Sequence, residues 1–266
     1  MSAIRVGVVE YLNARPLVHG LDARPDLFSL RYDVPARCAA LLHDGSVDLA
    51  LLPAIEYLRR PDYRVVPDIA VASTGPVASV ALFTTRPTAA IRSIAIDSSS
   101  RTAVALLRVL CAEWFEIEPK FVTMHPDLQA MLKRCDAALL IGDIALFTEH
   151  ETVVDLDKID LGEEWAAMTG LPFVWAFWAG RGDVVEAEHV QALRAARDAG
   201  AAAIDDVVAA HPPADEEQAE AAREYLRKNV QFTLTEEGRS GVKRFYAAAA
   251  DIGIVPQAGA LRFFDA

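Results

Sequence analysis

The sequence predicts an α/β protein made of two lobes, with a ligand-binding cleft between them. Short apolar runs typical of buried strands alternate with helical patterns, and part of this alternation recurs further along the chain. After Gly182 the composition changes to one dominated by Ala, Glu and Arg, which is typical of helices. At 266 residues the chain has enough material for one large or two small domains. We expect lobe 1 to comprise 1–84 plus 177–266, and lobe 2 to comprise 85–176.

Composition and charge limit the classes of partner. Hydrophobic residues make up 53% and charged residues 24% of the chain, which is typical of a globular protein. The formal net charge is −12, so nucleic acid and membranes, whose recognition requires basic surfaces, are not expected partners. A small anion would need a locally positive pocket that is rich in hydrogen-bond donors.

Cysteine usage and the N-terminus predict a cytoplasmic location. Cys38, Cys111 and Cys135 are odd in number and widely spaced, which favours reduced core residues over a disulfide framework. The chain enters a strand pattern at Ile4 without the features of a signal peptide. No run reaches the ~18 apolar residues needed to cross a membrane.

The order of elements follows from apolar runs, prolines and glycines. In the first part, strands are predicted at 4–9, 30–34, 47–52 and 77–84, helical segments at 35–42 and 54–58, and an extended segment at 64–71. In the second part, strands are predicted at 94–96, 118–123, 137–141 and 172–178, and helices at 103–115, 126–134 and 162–170. Long helical patterns follow at 185–209, 214–228 and 235–252. We expect these last helices to pack on the first lobe.

Two matches in one register suggest that both lobes use one strand–loop–helix plan. Asn13 and Arg101 lie in polar loops and are 88 residues apart. The runs Asp48-Leu-Ala-Leu-Leu and Asp136-Ala-Ala-Leu-Leu are separated by 88 residues as well. The alternative is chance agreement, because such a run is a common start for a buried strand.

The segment 98–102, Ser-Ser-Ser-Arg-Thr, lies between a predicted strand and a predicted helix. The first N–H groups of a helix have no intrahelical acceptor, and the helix dipole adds partial positive charge there. Hydroxyls and the Arg101 guanidinium add further donors, so this segment is a candidate anion-binding site. The alternative is a helix cap formed by Ser98, Ser99 or Ser100.

Other candidates also follow predicted strands, because ligands of open α/β sheets bind beyond the carboxyl ends of strands. Asp143 either faces a ligand or caps the next helix. Asp97 either faces a ligand or holds its own serine-rich turn. Trp175 and Trp178 are expected in the core. Nucleotide, zinc-protease and serine-hydrolase motifs are missing from the sequence.

Five motifs occur in order along nearly the whole chain: Tyr11-Leu-Asn-Ala-Arg-Pro-Leu17, Ser79-Val-Ala-Leu-Phe83, Asp97-Ser-Ser-Ser-Arg-Thr102, Ala138-Leu-Leu-Ile-Gly-Asp143 and Trp165-Ala-Ala-Met-Thr-Gly-Leu-Pro-Phe173. Together they resemble the chorismate dehydratase family, which acts in menaquinone biosynthesis by the futalosine route. The resemblance implies a periplasmic-binding-protein type II fold used as a cytoplasmic enzyme. It also implies the conversion of chorismate to 3-[(1-carboxyvinyl)oxy]benzoate and water.

The N-terminal motif separates this family from a sister family of similar fold, which makes 1,4-dihydroxy-6-naphthoate. The sister family has a Ser-Pro-Cys-Pro-Asn-Asp-like motif where this chain has Glu10-Tyr-Leu-Asn-Ala-Arg-Pro16, and this departure favours the dehydratase. At position 103 the chain has Ala, where the dehydratase family commonly has serine after Ser-Ser-Arg-Thr. A hydroxyl of the family pattern is therefore missing.

The positions of the loops after the strands, taken together with the reaction that the resemblance implies, give expected roles for individual residues. Asn13 and Asp143 are expected to be catalytic, and either Asp143 or a carboxylate of the substrate itself accepts the proton. The expected substrate-binding residues are Arg15, Pro53, Ser79, Ser98, Ser99, Ser100, Arg101, Thr102 and Gly142. Because the reaction forms an aromatic ring, neither a metal nor a redox cofactor is expected. The alternative function is a non-catalytic cytoplasmic protein that binds a small anion, and the sequence leaves the oligomeric state open.

Overall fold

Strands and helices alternate along the chain in the predicted order. The computed structural model describes residues 3–97, 99–149 and 155–265. The strands are β1 (Ile4–Val9), β2 (Phe28–Asp33), β3 (Leu49–Pro53), β4 (Tyr63–Val65), β5 (Val71–Ser73), β6 (Val80–Thr84), β7 (Ser93–Asp97), β8 (Lys120–Met124), β9 (Ala137–Ile141), β10 (Asp157–Asp160) and β11 (Phe173–Arg181). The helices are α1 (Pro35–His43), α2 (Thr102–Glu113), α3 (Leu128–Leu132), α4 (Gly142–Phe147), α5 (Leu161–Thr169), α6 (Ala187–Ala202), α7 (Ile204–Ala210), α8 (Glu216–Glu224) and α9 (Glu236–Asp251). Shorter 3₁₀ turns include Leu12–Val18 and Ala54–Arg59, and a π-helical turn spans Tyr225–Asn229.

The strands form two mixed sheets of similar design. The first sheet has the order β2-β1-β3-β11-β4, with β5 also paired to β11, and the second has the order β10-β6-β9-β7-β8. In each sheet three neighbouring strands are parallel, and the next strand is antiparallel to them. The two sheets confirm the predicted α/β fold class.

The register of the two sheets confirms the internal repeat. Val6 lies opposite Leu49 in the first sheet, and Ile94 lies opposite Ala137 in the second, so equivalent partners are 88 residues apart. The aspartate that precedes β3 in the first sheet and the one that precedes β9 in the second make equivalent contacts as well. Asp48 Oδ2 accepts a hydrogen bond from Arg5 N at 2.9 Å, and Asp136 Oδ2 accepts one from Ser93 N at 3.0 Å.

The chain crosses between the sheets after β5 and returns to the first sheet in β11. The strand β6, at the end of the predicted lobe 1, pairs with β9 of the second sheet. The strand β11, which the prediction divides between the lobes, pairs along its whole length with strands of the first sheet. The division into lobe 1 (1–84 plus 177–266) and lobe 2 (85–176) stays a proposal. Divided by sheet membership, the chain passes from the first sheet to the second near 74–79 and returns near 161–172.

The C-terminal helix α9 packs against the first sheet, as predicted. The ring of Phe245 lies 5.0 Å from that of Phe173 on β11, and Trp165 lies 5.2 Å from Phe173. The buried Tyr246 hydroxyl donates to the carbonyl oxygen of Ala54 at 2.6 Å. These contacts fix the loop that follows β3, which faces the cleft.

The predicted helix 185–209 consists of two helices, and the prediction of one continuous helix is wrong. The break falls at Ala203, whose φ and ψ are −114° and 40°. The α6 turn around Gly200 packs so closely on Pro16 that any side chain at 200 would collide with the Pro16 backbone. The local sequence is rich in alanine and contains no proline, so it gives little indication that the helix ends there.

Candidate functional site

A cavity of about 80 Å³ lies between the two sheets, at the carboxyl ends of their parallel strands. This is several times the roughly 10–15 Å³ that a single water requires. Its apolar walls include Val9, Leu51, Val71, Ile141 and Trp175. Its polar lining comes from Asn13, Ser79, Ser100, Arg101 and Thr102. The structure thus brings together predicted site residues from both repeats.

The serine-rich turn before α2 is held by Asp97, which confirms the local role considered for that residue. Asp97 is 2% exposed, and its carboxylate accepts hydrogen bonds from Ser99 N at 2.8 Å and Ser99 Oγ at 2.7 Å. This arrangement turns Ser99 toward Asp97 and leaves Ser100 to line the cavity. No described side chain caps the N-terminus of α2. Ser98 lies outside the described residues.

Arg101 and Thr102 occupy the start of α2, where N–H groups and the helix dipole face an incoming ligand. Thr102 is buried, and its Oγ1 accepts a hydrogen bond from Ile55 N at 3.3 Å, across the cleft. Arg101 is exposed and lines both the cavity and a wider groove that opens from it. Within the described ranges, its guanidinium has no carboxylate partner. A positive charge is therefore available at the mouth of the cavity.

Asn13 reaches the cavity from the opposite repeat. It lies in the 3₁₀ turn Leu12–Val18 directly after β1, and this turn is anchored to the second repeat because Leu12 N donates to Asp143 Oδ1 at 3.0 Å. Asn13 is partly exposed, and its amide offers both a donor and an acceptor. Pro53, at the end of β3, lies on the same side of the cavity.

Ser79 and Gly142 close the cavity on the side of the second sheet. Gly142 N donates to the Ser79 carbonyl oxygen at 2.8 Å, which joins β6 to the start of α4. Gly142 has a φ of 66°, and a Cβ there would lie 2.8 Å from the Tyr11 ring. Glycine is thus required at 142 both for its backbone conformation and for the close approach of Tyr11.

Asp143, which contacts the Leu12–Val18 turn, and Arg15, which belongs to that turn, do not line the central cavity. They face a separate pocket of about 150 Å³, together with Glu10 and His211. Burial raises the pKa of Asp143 above its ordinary value, and the bond from Leu12 N acts in the opposite direction. Arg15 donates to the carbonyl oxygen of Glu10 at 2.8 Å. In this geometry Asp143 supports the Leu12–Val18 turn, and the roles assigned to both residues stay predictions.

Trp175 and Tyr225 lie at or near the cavity but were not among the predicted site residues. Trp175 is buried, as predicted, but it also lines the cavity, and its Nε1 donates to Ser73 Oγ at 3.1 Å. Tyr225 is 2% exposed, and its hydroxyl lies 2.8 Å from Ser79 Oγ. The aromatic pattern of 172–178 pointed to Trp175, whereas nothing in the local sequence around Tyr225 indicates a role.

The described part of the chain contains no cluster of three or more His, Cys, Asp or Glu side chains arranged to hold a metal ion. Over the same residues, no helix is both long enough and apolar enough to cross a membrane.

Comparison with known proteins identifies the family. A family model described as menaquinone biosynthesis matches residues 4–251. A chorismate dehydratase of Thermus thermophilus is 32% identical over 267 aligned positions, which cover 91% of this chain and 94% of that protein.

Solved structures with low sequence identity share the fold. Protein AF1704 from Archaeoglobus fulgidus superposes with a TM-score of 0.77 at 18% identity, covering 96% of this chain and 99% of that one. The Candida albicans CA3427 gene product, described as having the generic periplasmic binding protein fold, gives a TM-score of 0.64 at 14% identity, covering 92% of this chain and 90% of that one. These likenesses confirm the predicted periplasmic-binding-protein-like fold, and the matches in sequence settle the family: the chain belongs to the menaquinone biosynthesis family, together with the chorismate dehydratase of Thermus thermophilus.

Proposed function

We propose that the protein is a chorismate dehydratase, a lyase that converts chorismate to 3-[(1-carboxyvinyl)oxy]benzoate and water in menaquinone biosynthesis. The observation that carries the proposal is the pairing of Asn13 from one repeat with the donor-rich start of α2 from the other, in one cavity. The name and 32% identity of the Thermus thermophilus relative support the choice of substrate.

The proposed binding mode follows from charge. Chorismate carries two carboxylates, whereas the chain has a formal net charge of −12, so recognition requires a local group of donors. The N–H groups at the start of α2, the Ser100 and Thr102 hydroxyls and the Arg101 guanidinium form such a group. We assign one carboxylate of the substrate to this group and the ring to the side of the cavity that contains Asn13.

The proposed chemistry is the removal of a ring proton and of the neighbouring ring hydroxyl. The electron pair of the broken C–H bond becomes part of the ring π system, the C–O bond breaks, and the departing hydroxide takes up a proton to become water. Aromatisation makes this sequence strongly downhill, so it needs no redox cofactor or metal. We propose that Asn13 orients the departing hydroxyl or the acidic C–H, and that a carboxylate of the substrate accepts the proton.

The position of Asp143 supports the choice of the substrate as its own base. A general base must come within hydrogen-bond reach of the proton that it removes. Asp143 does not line the cavity, and its Oδ1 already accepts a hydrogen bond from Leu12 N. Ionisable groups are also few around the cavity, whose lining includes Arg101 and Tyr11 but no carboxylate among the described residues.

Purified protein incubated with chorismate tests the proposal directly. We expect the ultraviolet spectrum of chorismate to be replaced by that of an aromatic product, without any added cofactor. Binding of chorismate without a spectral change would instead favour a non-catalytic anion-binding protein. A protein that leaves chorismate untouched would point to the sister naphthoate synthase.

A cytoplasmic location is part of the same proposal. Cys38, Cys111 and Cys135 are all free and buried, as expected of reduced core thiols. Fractionation of the producing cells, followed by detection of the native protein, would test the location.

A further inference from the structure

The segment that leads into Ser79 has an unusual backbone. Ala78 has a φ of 63°, a conformation that L-residues with a Cβ rarely adopt. The neighbouring N–H groups of Val77 and Ala78 both donate to the Asp160 carboxylate, at 3.0 and 2.6 Å. Strained backbone of this kind persists only where surrounding contacts determine it, and it is frequent at functional sites.

A π-helical turn braces this segment from the other side. The turn Tyr225–Asn229 is closed by a hydrogen bond from Val230 N to the Tyr225 carbonyl oxygen at 3.2 Å. Asn229 Nδ2 donates to the Pro76 carbonyl oxygen at 3.0 Å, while the Tyr225 hydroxyl lies 2.8 Å from Ser79 Oγ. Both ends of the turn are therefore attached to the segment that ends at Ser79. Single π-helical turns are themselves frequent at functional sites.

The Tyr225 hydroxyl is placed to orient a side chain of the cavity, that of Ser79. Burial raises the pKa of Tyr225 above its ordinary value of 10.0, and the hydrogen bond with Ser79 acts in the opposite direction. The phenol is thus protonated at neutral pH, with a single hydrogen to donate. Ser79 is 1% exposed, so its hydroxyl depends on such a partner, and both Ser79 and Asn13 line the cavity.

We propose that Tyr225 is a positioning residue: its buried hydroxyl fixes the orientation of the Ser79 side chain toward the reacting ring. Tyr225 does not line the cavity and acts only through Ser79. The inference rests on the proposed dehydratase function, because the orientation of Ser79 is expected to affect the turnover of chorismate.

The test compares Tyr225→Phe with Tyr57→Phe. Tyr57 is also buried, and its hydroxyl bonds to the Tyr63 carbonyl oxygen and to Arg262 N, away from the cavity. Small displacements of catalytic groups cost up to about 100-fold in rate, so we expect kcat of Tyr225→Phe to fall roughly 10- to 100-fold, with KM within about threefold of wild type. Tyr57→Phe should retain the wild-type kcat even if its thermal stability falls.

A double variant tests whether Tyr225 acts through Ser79. If it does, adding Tyr225→Phe to Ser79→Ala should lower kcat by much less than the same change lowers it in the wild type. Wild-type kcat in Tyr225→Phe, or fully multiplicative effects in the double variant, would overturn the inference while leaving the dehydratase function intact. Failure of the wild-type protein to convert chorismate would instead overturn both.

Should Tyr225→Phe fail to fold, Asn229→Ala provides a second test. It removes the other attachment of the π-helical turn and leaves every cavity-lining side chain in place. We expect a several-fold fall in kcat with little change in KM. Wild-type kcat in this variant would overturn the inference.

Discussion

The hydroxyls of Tyr11 and Ser99, which are equivalent residues 88 positions apart in the two repeats, lie 3.4 Å from each other across the cleft. Leu12 N and Asp143 Oδ1 make a second link between the repeats at 3.0 Å, and Ile55 N and Thr102 Oγ1 make a third at 3.3 Å. The cleft is therefore closed by contacts from the same loops that line the cavity. The loops that join the two repeats are thus the same loops that supply the site.

We expect Tyr11→Phe to raise KM for chorismate roughly fivefold, since a neutral hydrogen bond contributes about 1 kcal/mol. Burial raises the pKa of Tyr11 to about 12, so the hydroxyl is neutral at assay pH and the loss is not one of charge. The ring that packs on Gly142 is retained. Steady-state kinetics measure the effect, and an unchanged KM would show that the contact with Ser99 does not contribute to substrate binding.

We expect Asn13→Ala to lower kcat by roughly 100-fold or more, because orientation of the reacting groups is lost. The side chain is partly exposed, so circular dichroism and the melting temperature should stay close to wild type. Turnover of chorismate, followed by the appearance of the aromatic product, is the measurement. A variant that keeps wild-type turnover would exclude the proposed role of Asn13.

We expect Asp143→Asn to turn over at a near-normal rate, since the amide oxygen still accepts from Leu12 N and the substrate supplies the base. Such a rate would eliminate Asp143 as the base, whereas a large loss of kcat with an unchanged melting temperature would contradict the proposal that the substrate is its own base.

The same variant has a defined dependence of stability on pH. Burial raises the pKa of Asp143 above 3.8, so the folded state binds this proton more tightly than the unfolded state. The quantity to compare is the free energy of unfolding of the wild type minus that of Asp143→Asn. This difference should be highest below pH 3.8 and should fall as the pH rises through the raised pKa of Asp143. Chemical denaturation at several pH values checks the sign, and the opposite trend would contradict it.

We expect Arg101→Gln to raise KM for chorismate roughly 10- to 100-fold, because hydrogen bonds to charged groups contribute about 1.5–3 kcal/mol. Arg108→Gln is a matched control on the same face of α2, where the guanidinium stacks on Phe121 at 4.4 Å. The control removes an equal charge two helical turns away and should change KM much less. Equal effects of both substitutions would indicate general electrostatic attraction without a specific contact at Arg101.

We expect Asp48→Ala to lower the free energy of unfolding at pH 7 by about 1–3 kcal/mol, since Arg5 N loses its acceptor between β1 and β3. The hydrogen bond from the Arg5 side chain is the largest cause that lowers the pKa of Asp48 below 3.8. Its stabilisation is therefore present above that pH and is lost as the pH falls through the lowered pKa. Urea denaturation of both proteins tests this, and a difference that persists undiminished in strong acid would contradict the assignment.

Local patterns were enough to predict most of the strands and the internal repeat. The strand β9 begins and ends at the predicted residues because Ala137–Ile141 is a continuous apolar run bounded by Asp136 and Gly142. The repeat was visible because Asp48 and Asp136 perform the same local task and so keep the same spacing from their strands. The break at Ala203 was not visible, because the alanine-rich sequence around it favours a continuous helix.

The sequence by itself determined the α/β class, the repeat and the polar loops at the strand ends, because strand period, turn residues and motif order are local properties. Only the tertiary structure decided which of those loop residues share one cavity. It places the Asn13 side chain in the cavity and turns Arg15, two residues later in the same turn, to a second pocket with Asp143, because successive side chains of a tight turn point in different directions. It also brings Tyr225 to Ser79 across 146 residues of chain, a pairing that arises from packing and leaves no local pattern.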